Sequence, residues 1–332
     1  MGLRGYILKR IIYTVILIFA VITLNFFIFE AMPGDPLEAY LARPGITPEA
    51  AERLKATFGI GQAWYIKYPT YVRSMLIFNF GQTSPAMGSA KVADLIGSRL
   101  LNTLLLMGSS SILAVIAGIL LGAFAAHERG KAIDGALVLT SLATFSLPTF
   151  WMGLIAQGIF GFGLHWLPIQ GTSTMVVSPA YSGPIQNPFA YWLDRMSYLV
   201  LPGLVLFFFT YGGFVLLTRA CVLETMTEDY VLTARAKGVK ERTVLFRHIL
   251  KNASLPIITN VALQFGFILS GAILTETVFQ YSGMGTLIIS AIGIKEVPVM
   301  QAIFYIIALC VIIANFIADL VYGLVDPRVK YG

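Results

Sequence analysis

Residues 11–29 read IIYTVILIFAVITLNFFIF, nineteen positions without a charge. A helix of about 20 such residues matches the hydrocarbon core of a bilayer, roughly 30 Å thick. Lipid offers no partner to backbone N–H and C=O groups, so a run of this kind crosses only as a helix. Five further runs follow, at 100–126, 136–160, 198–218, 257–275 and 299–318. They account for a composition that is 57% hydrophobic and 12% charged, with a mean hydropathy of +0.78. The sequence predicts an all-α polytopic membrane protein with six transmembrane helices. Arg4, Lys9 and Arg10 before the first run would also suit a secretory signal. The run exceeds an ordinary signal core, however, and FEAMPGDP at 29–36 offers no small-x-small cleavage site, so a retained first span is expected.

Orientation follows from the basic residues of the short loops. With the N-terminus inside, the inner segments hold Arg4, Lys9 and Arg10, then Arg129 and Lys131, seven Lys and Arg from Arg219 to Lys251, and finally Arg328 and Lys330. The short outer segments hold only Arg195 and Lys295. Both termini are therefore expected in the cytoplasm, in a plasma or inner membrane. The net charge of +6 follows this topology, which removes nucleic acid as its explanation. Cys221 and Cys310, at an inner boundary and inside the last run, form no disulfide framework.

The long outer segment 30–99 is the only part large enough to fold outside the membrane. In it ITPEAAERLKATFGI has the marks of a short helix: Thr47 as N-cap, Pro48 at the first position, Glu49 in the first turn and Gly59 as stop. The aromatic YIKYPTYVRSMLIFNFG suits either an interfacial cap or a docking surface for an external partner. The second outer segment, 161–197, carries Gly and Pro at intervals and reads as irregular. Pro148 should kink the third span, and Gly212 and Gly213 could loosen the fourth or serve its packing.

The chain lacks the signatures of catalysis. Gly130-Lys131 has neither the upstream Gly nor the following Ser or Thr of a nucleotide-binding loop. No HExxH, GxSxG or DxDxDG motif occurs, and His127, His165 and His248 are too scattered for a metal site. Ser109–Ser111 has no intramembrane His to act as a base. Of ionisable groups inside spans, the only candidates for an ion relay are Glu276 and Asp319, each near a span end. The sequence predicts no enzyme activity and no bound cofactor or metal, and an energy source outside the chain.

One segment departs from the lipid-facing pattern. At 227–252, Thr227 can cap a helix that begins Glu228-Asp229 and stops at Gly238, a residue suited to a left-handed C′ position. A second helix is expected from Lys240-Glu241 to Arg247, His248 and Lys251, with Leu255-Pro256 opening the fifth span. Ala234, Ala236 and Gly238 offer a small surface on which another backbone could approach closely.

DYVLTARAKGVKERTVLFRHILKNASLP at 229–256 resembles the cytoplasmic coupling loop, or EAA loop, of ABC importer permeases, above all the dipeptide/oligopeptide branch. AMPGDP, SLPTFW, ETVFQYSGMG and DLVYGLVDPRV agree with that family in order, and the similarity covers nearly the whole chain. The general E-A-A-x3-G pattern falls on Leu232, Thr233 and Ala234, with Gly238 matching, so only the final Ala and the Gly agree. The resemblance implies a type I ABC importer-like permease, divided into the first span (1–29), the outer loop (30–99), a five-helix core (100–325) holding the coupling loop, and a cytoplasmic tail (326–332). It implies a heterodimer with a second related permease, two ABC ATPase subunits that hold ATP and Mg, and an extracytoplasmic solute-binding protein. Asp229, Tyr230, Thr233, Ala234, Ala236, Gly238, Arg242 and Phe246 would couple to the ATPase, with Ala234 and Gly238 giving close approach and Arg242 pairing with acids. Candidates for the translocation path are Asn102, Thr103, Ser109, Gln157, Tyr211 and Gln264, although isolated polar residues in spans also bridge helices. The favoured solute is a di- or oligopeptide, with oligosaccharides and then nickel chelates as alternatives. A secondary transporter or channel working alone, and a purely structural membrane anchor, are the rivals from other classes.

Overall fold

The computed structural model describes residues 3–31, 47–49, 52, 63–83, 87–174, 188–267 and 273–325. Among them the regular structure is helical, apart from an isolated antiparallel bridge between Gln82 and Lys91. In order the helices are α1 (Leu3–Glu30), α2 (Trp64–Leu76), α3 (Val92–His127), α4 (Ala132–Ser146), α5 (Thr149–Ala156), α6 (Pro188–Thr225), α7 (Asp229–Ala236), α8 (Glu241–Thr243), α9 (Leu250–Phe267), α10 (Ile273–Val278), α11 (Met284–Gly293) and α12 (Val297–Val325). Two π-helical turns extend them, Gln157–Gly163 after α5 and Val244–Ile249 between α8 and α9.

Among the described residues, α1, α3, α6 and α12 are each long and apolar enough to cross a membrane, and α4 with Thr149–Gly163 makes a fifth crossing if counted as one span. The expected fifth run, 257–275, coincides with the end of α9 and the start of α10; residues 268–272 between them lie outside the described residues. In place of the expected kink at Pro148 there is a break: α4 and Thr149–Gly163 meet at 100°. The proline ring and its missing N–H end α4, and Pro148 then serves as N-cap of α5 in extended conformation. The segment 161–197 is less irregular than expected, since α6 already starts at Pro188. Pro48, Glu49 and Glu52 are helical as predicted, while the stop at Gly59 and the tail 326–332 lie outside the described residues.

The chain divides into two compact units. The first holds residues 1–103, 269–271 and 282–332. Here α1 packs against α12 and α2, and α11 packs against α12. The buried positions of α1 are Ile22, Asn25, Phe26 and Phe29, one stripe at i, i+3, i+4 and i+7, while the rest of its apolar surface is exposed. Asn25 is the polar node of this unit: its Nδ2 donates to the Tyr71 hydroxyl of α2 and to the Gln301 carbonyl of α12, both at 2.9 Å. At the far end Arg10 pairs with Asp319 at 2.5 Å, and Tyr6 donates to the Asp319 carbonyl at 3.0 Å. Two such ties, early-to-late and late-to-early, make α1 and α12 antiparallel, and Arg10 is the cationic partner of Asp319.

The second unit holds residues 104–268 and 272–281. α6 is its axis, against which α4, α5 and α9 pack. Glycines set the spacing. A Cβ on Gly118 would lie 2.4 Å from the Cβ of Phe214, and one on Gly122 would lie 2.6 Å from the Val215 carbonyl oxygen. This is the small-xxx-small contact by which membrane helices approach in the absence of a hydrophobic drive. Gly212 plays the same part toward α4, where a Cβ would lie 2.5 Å from the Ser141 oxygen. Gly212 is therefore a packing device. At the start of α4, Arg219 holds Asp134 bidentately at 2.7 and 2.9 Å, and the Gly130 N–H adds a bond of 3.1 Å.

Candidate functional site

The 227–252 segment folds as a helix–turn–helix element attached to the second unit. Thr227 is not the N-cap of α7: its hydroxyl donates back to the Glu224 carbonyl at 2.7 Å, and Glu228 stands at the cap in extended conformation without a side-chain cap bond. The other end is as the sequence predicts. Gly238 has φ +72°, the Gly238 N–H reaches the Arg235 carbonyl at 2.9 Å, and the Val239 N–H reaches the Ala234 carbonyl at 3.3 Å. These two bonds form a Schellman motif, and Val239 packs against the apolar cluster that includes Ala234.

The second helix does not end at Lys251. Helical structure runs from Glu241 through the π turn into α9, with Pro256 inside it, so Arg247, His248 and Lys251 sit mid-helix and Leu255-Pro256 opens nothing. Along this stretch Leu245, Ile249, Ala253 and Ile257 are buried at four-residue intervals. An α-helix drifts by about 40° over each such step; a wider π turn within the series brings the side chains back toward one line.

Those residues, with Val231, Ala234 and Val244, form one apolar cluster with Ala123 and Ala126 at the end of α3 and Cys221 and Val222 near the end of α6. Val231, Val244 and Ile249 are fully buried, at 0% exposure. Fully burying an aliphatic side chain is worth about 1.5–3 kcal/mol, so three of them fix the element firmly to the helix ends. Ala234 belongs to this cluster, so its small size serves the internal contact; that corrects the expectation that it opens a surface to a partner. An ion pair adds a second tie across the turn: Arg235 donates to both Glu241 oxygens, at 2.6 and 3.2 Å. The guanidinium holds the Glu241 carboxyl below the usual carboxylate range.

The outward side carries Asp229, Tyr230, Leu232, Thr233, Ala236, Lys237, Gly238, Lys240, Arg242, Phe246 and Arg247, all exposed. Large apolar groups and cations alternate on this ridge, which suits a protein contact better than water alone. The Thr233 hydroxyl is engaged with the Asp229 carbonyl at 3.0 Å. Leu232, Arg235 and Glu241 were not among the expected site residues. The Arg235–Glu241 pair, six residues apart, meets only because the turn folds back.

The expected path residues are dispersed over the two units. In the first, Asn102 donates to the Ser282 carbonyl at 2.6 Å and Thr103 accepts the Met284 N–H at 2.8 Å, so together they hold the start of α11. In the second, the Ser109 hydroxyl bonds back to the Leu105 carbonyl at 2.6 Å. Gln157 bridges the carbonyls of Ile169 (2.7 Å) and Val278 (3.0 Å). Tyr211 is buried and stacks on Phe207 with ring centroids 5.5 Å apart, and Gln264 lies half-buried on α9.

Comparison with known proteins decides the family. Residues 118–331 match the family described as binding-protein-dependent transport system inner membrane component, and residues 3–103 match its N-terminal region. The chain is a member of this family. The permease is 34% identical over 329 residues to the oligopeptide transport system permease protein AppB of Bacillus subtilis, covering 99% of this chain and 100% of the relative. It is 33% identical over 342 residues to the di/tripeptide transport system permease protein DppB of Pseudomonas aeruginosa, covering 98% and 99%. It is 32% identical over 338 residues to the dipeptide transport system permease protein DppB of Escherichia coli, covering 98% of each. The permease is thus a multi-pass inner membrane component of a binding-protein-dependent transport system, with the helical fold of type I importer permeases.

Proposed function

We propose that the permease is one of two membrane subunits of an ATP-driven importer of di- and oligopeptides. The observation that carries the coupling role is the α7–Gly238–α8 ridge: an exposed line of Tyr230, Leu232, Arg242 and Phe246 on a base buried into the ends of α3, α6 and α9. A groove on an ATPase subunit is the partner this ridge suits. Asp229, Tyr230, Thr233, Ala236, Gly238, Arg242 and Phe246 would face it, and Arg242 would meet acids there. ATP and Mg belong to that partner, and the permease itself is non-catalytic. Closure of the ATPases around ATP would drive the two coupling elements of the complex together and turn the spans outward to receive solute from the binding protein. The second permease is a related, different chain, and both termini face the cytoplasm. The names of the relatives favour peptides over oligosaccharides. In the sequence the only ionisable candidates for a relay, Glu276 and Asp319, lie near span ends, so a stand-alone ion-coupled carrier is the weaker reading.

The test is uptake into proteoliposomes holding the full complex and its binding protein, with labelled dipeptides, tripeptides and oligosaccharides, with and without internal ATP. ATP-dependent peptide entry supports the proposal. Entry without ATP, or ATP-dependent entry of oligosaccharide alone, overturns it.

A further inference from the structure

We infer that α2 is a membrane-interface helix whose outward face is occupied by phospholipid, at the headgroup level of the leaflet where α1 ends. The inference concerns the first unit alone and goes beyond the transport role.

Depth is fixed by α1. Its apolar run ends at Glu30, and α2 is fastened along the preceding two turns. Lys67 pairs with Glu30 at 3.0 Å, the Tyr68 and Thr23 hydroxyls meet at 2.7 Å, and Tyr71 accepts from Asn25 at 2.9 Å. From Thr23 to Glu30 a helix rises about 10 Å, which is close to the depth of one polar interfacial layer and the first acyl carbons beneath it.

The chemistry of the exposed face then excludes water as its main neighbour. Tyr71, Ser74 and Met75 form the buried side of α2. The exposed residues are Trp64, Tyr65, Ile66, Pro69, Arg73 and Leu76, and the chain continues with exposed Ile77 and Phe78. A helix that turns its back to water carries charged and polar residues there; this one carries a single charge, Arg73. Tyr65, at 63% exposure, and Trp64, at 56%, are amphipathic rings of the kind enriched at membrane interfaces. The face is also continuous with lipid-facing surface: Trp64 lies 6.3 Å from Phe27 and Tyr68 stacks on Phe27 at 6.4 Å, and Phe27 stands on the exposed side of α1 beside Leu24 and Ile28. Arg73, exposed in the last turn of α2, is long enough for its guanidinium to reach lipid phosphate from an interfacial helix.

The competing occupant is the solute-binding protein. Both are distinguished in the assembled complex in phosphatidylcholine/phosphatidylglycerol nanodiscs, with Trp64 as the only indole left in this chain after W151F, W166F and W192F, its signal taken as the difference from the same complex carrying W64F as well. Lipids brominated near the headgroup or near the chain end probe depth, and iodide probes water. The expected result is a blue-shifted Trp64 emission, greatest loss with the shallow bromine, little loss with iodide, and no change when loaded binding protein is added. Strong iodide quenching without dependence on bromine position overturns the inference. Loss of lipid quenching on adding binding protein also overturns it and assigns the face to that protein. If the triple variant does not assemble, a spin label at Y65C in a C221S/C310S background gives the same decision from its relative access to oxygen and to a water-soluble nickel complex.

Discussion

Replacing Gly238 separates the backbone of the coupling element from its docking. The residue sits at φ +72°, and a Cβ built there meets no heavy atom within 4 Å. Gly238→Ala therefore adds no clash and costs only the left-handed conformation, about 1–2 kcal/mol. Against that stand the fully buried Val231, Val244 and Ile249, each worth about 1.5–3 kcal/mol, so the turn keeps its geometry. Asn tolerates the left-handed region better than Ala and tests strain directly. Gly238→Glu carries the same strain and also drives a charged side chain into the proposed docking face. In proteoliposomes, with membrane content matched by immunoblot, Gly238→Ala should slow ATP-dependent peptide uptake by at most about five- to thirtyfold, the factor to which about 1–2 kcal/mol corresponds. Gly238→Asn should lie nearer to the natural protein, and Gly238→Glu should abolish uptake and binding-protein-stimulated ATP hydrolysis while still inserting. Near-normal uptake by Gly238→Glu would refute docking at this turn. Equal loss in Ala and Glu variants would make the backbone the whole effect.

The remaining predictions concern what holds the element and its helices in place. Asp134→Asn leaves Arg219 without its bidentate partner; because Arg219 keeps partial exposure, the loss should be about 2 kcal/mol, below that of a wholly buried pair, and should appear as a lower melting temperature of the purified complex. Joint replacement of Asp134 and Arg219 by Leu should recover part of that loss. Gly122→Leu forces a side chain where a Cβ would already lie 2.7 Å from the Thr218 Cβ, so α3 and α6 must part at a cost of about 1–3 kcal/mol or more, read as loss of monodisperse protein on size exclusion. The Arg235–Glu241 pair lowers the Glu241 pKa, so its stabilisation is complete above the unfolded glutamate value of about 4.3 and fades as pH falls through the lower folded value. Both groups are well exposed, which limits the pair to about 1 kcal/mol or less. Glu241→Gln should accordingly lower the melting temperature slightly at neutral pH, and the difference should shrink as pH falls below about 4.

Span positions were legible because lipid leaves so few alternatives: an uncharged run of about 20 residues has one stable way to bury its backbone. How Pro148 acts was less legible. A proline removes one bond and adds one clash, but whether the helix bends or stops depends on what packs on either side, and here it stops. Pro256 shows the reverse, remaining inside a helix that sequence rules would divide. The turn at Gly238 was readable because only a left-handed residue closes a Schellman motif cheaply, whereas Ala234 was ambiguous. A small side chain suits an internal contact and an external one equally, and only the facing residues decide. Gly118 and Gly122 carried a signal as well, the small-xxx-small spacing of close helix contacts in membranes. The Arg235–Glu241 pair carried none, since six residues apart is no helical neighbour and the pair exists only once the turn has formed.

The unbroken passage from α8 through the π turn into α9 makes the turn at Gly238 the short arm of a lever. Residues 241–267 form a rod of roughly 40 Å, so a tilt of about 5° at its Glu241 end would carry the tip sideways by about 3.5 Å. A flexible joint after Lys251 would have dissipated such a stroke before it reached the membrane. With α3 and α6 clamped at the same fulcrum, a small displacement at the proposed docking face would return as a larger one at the far end of the rod.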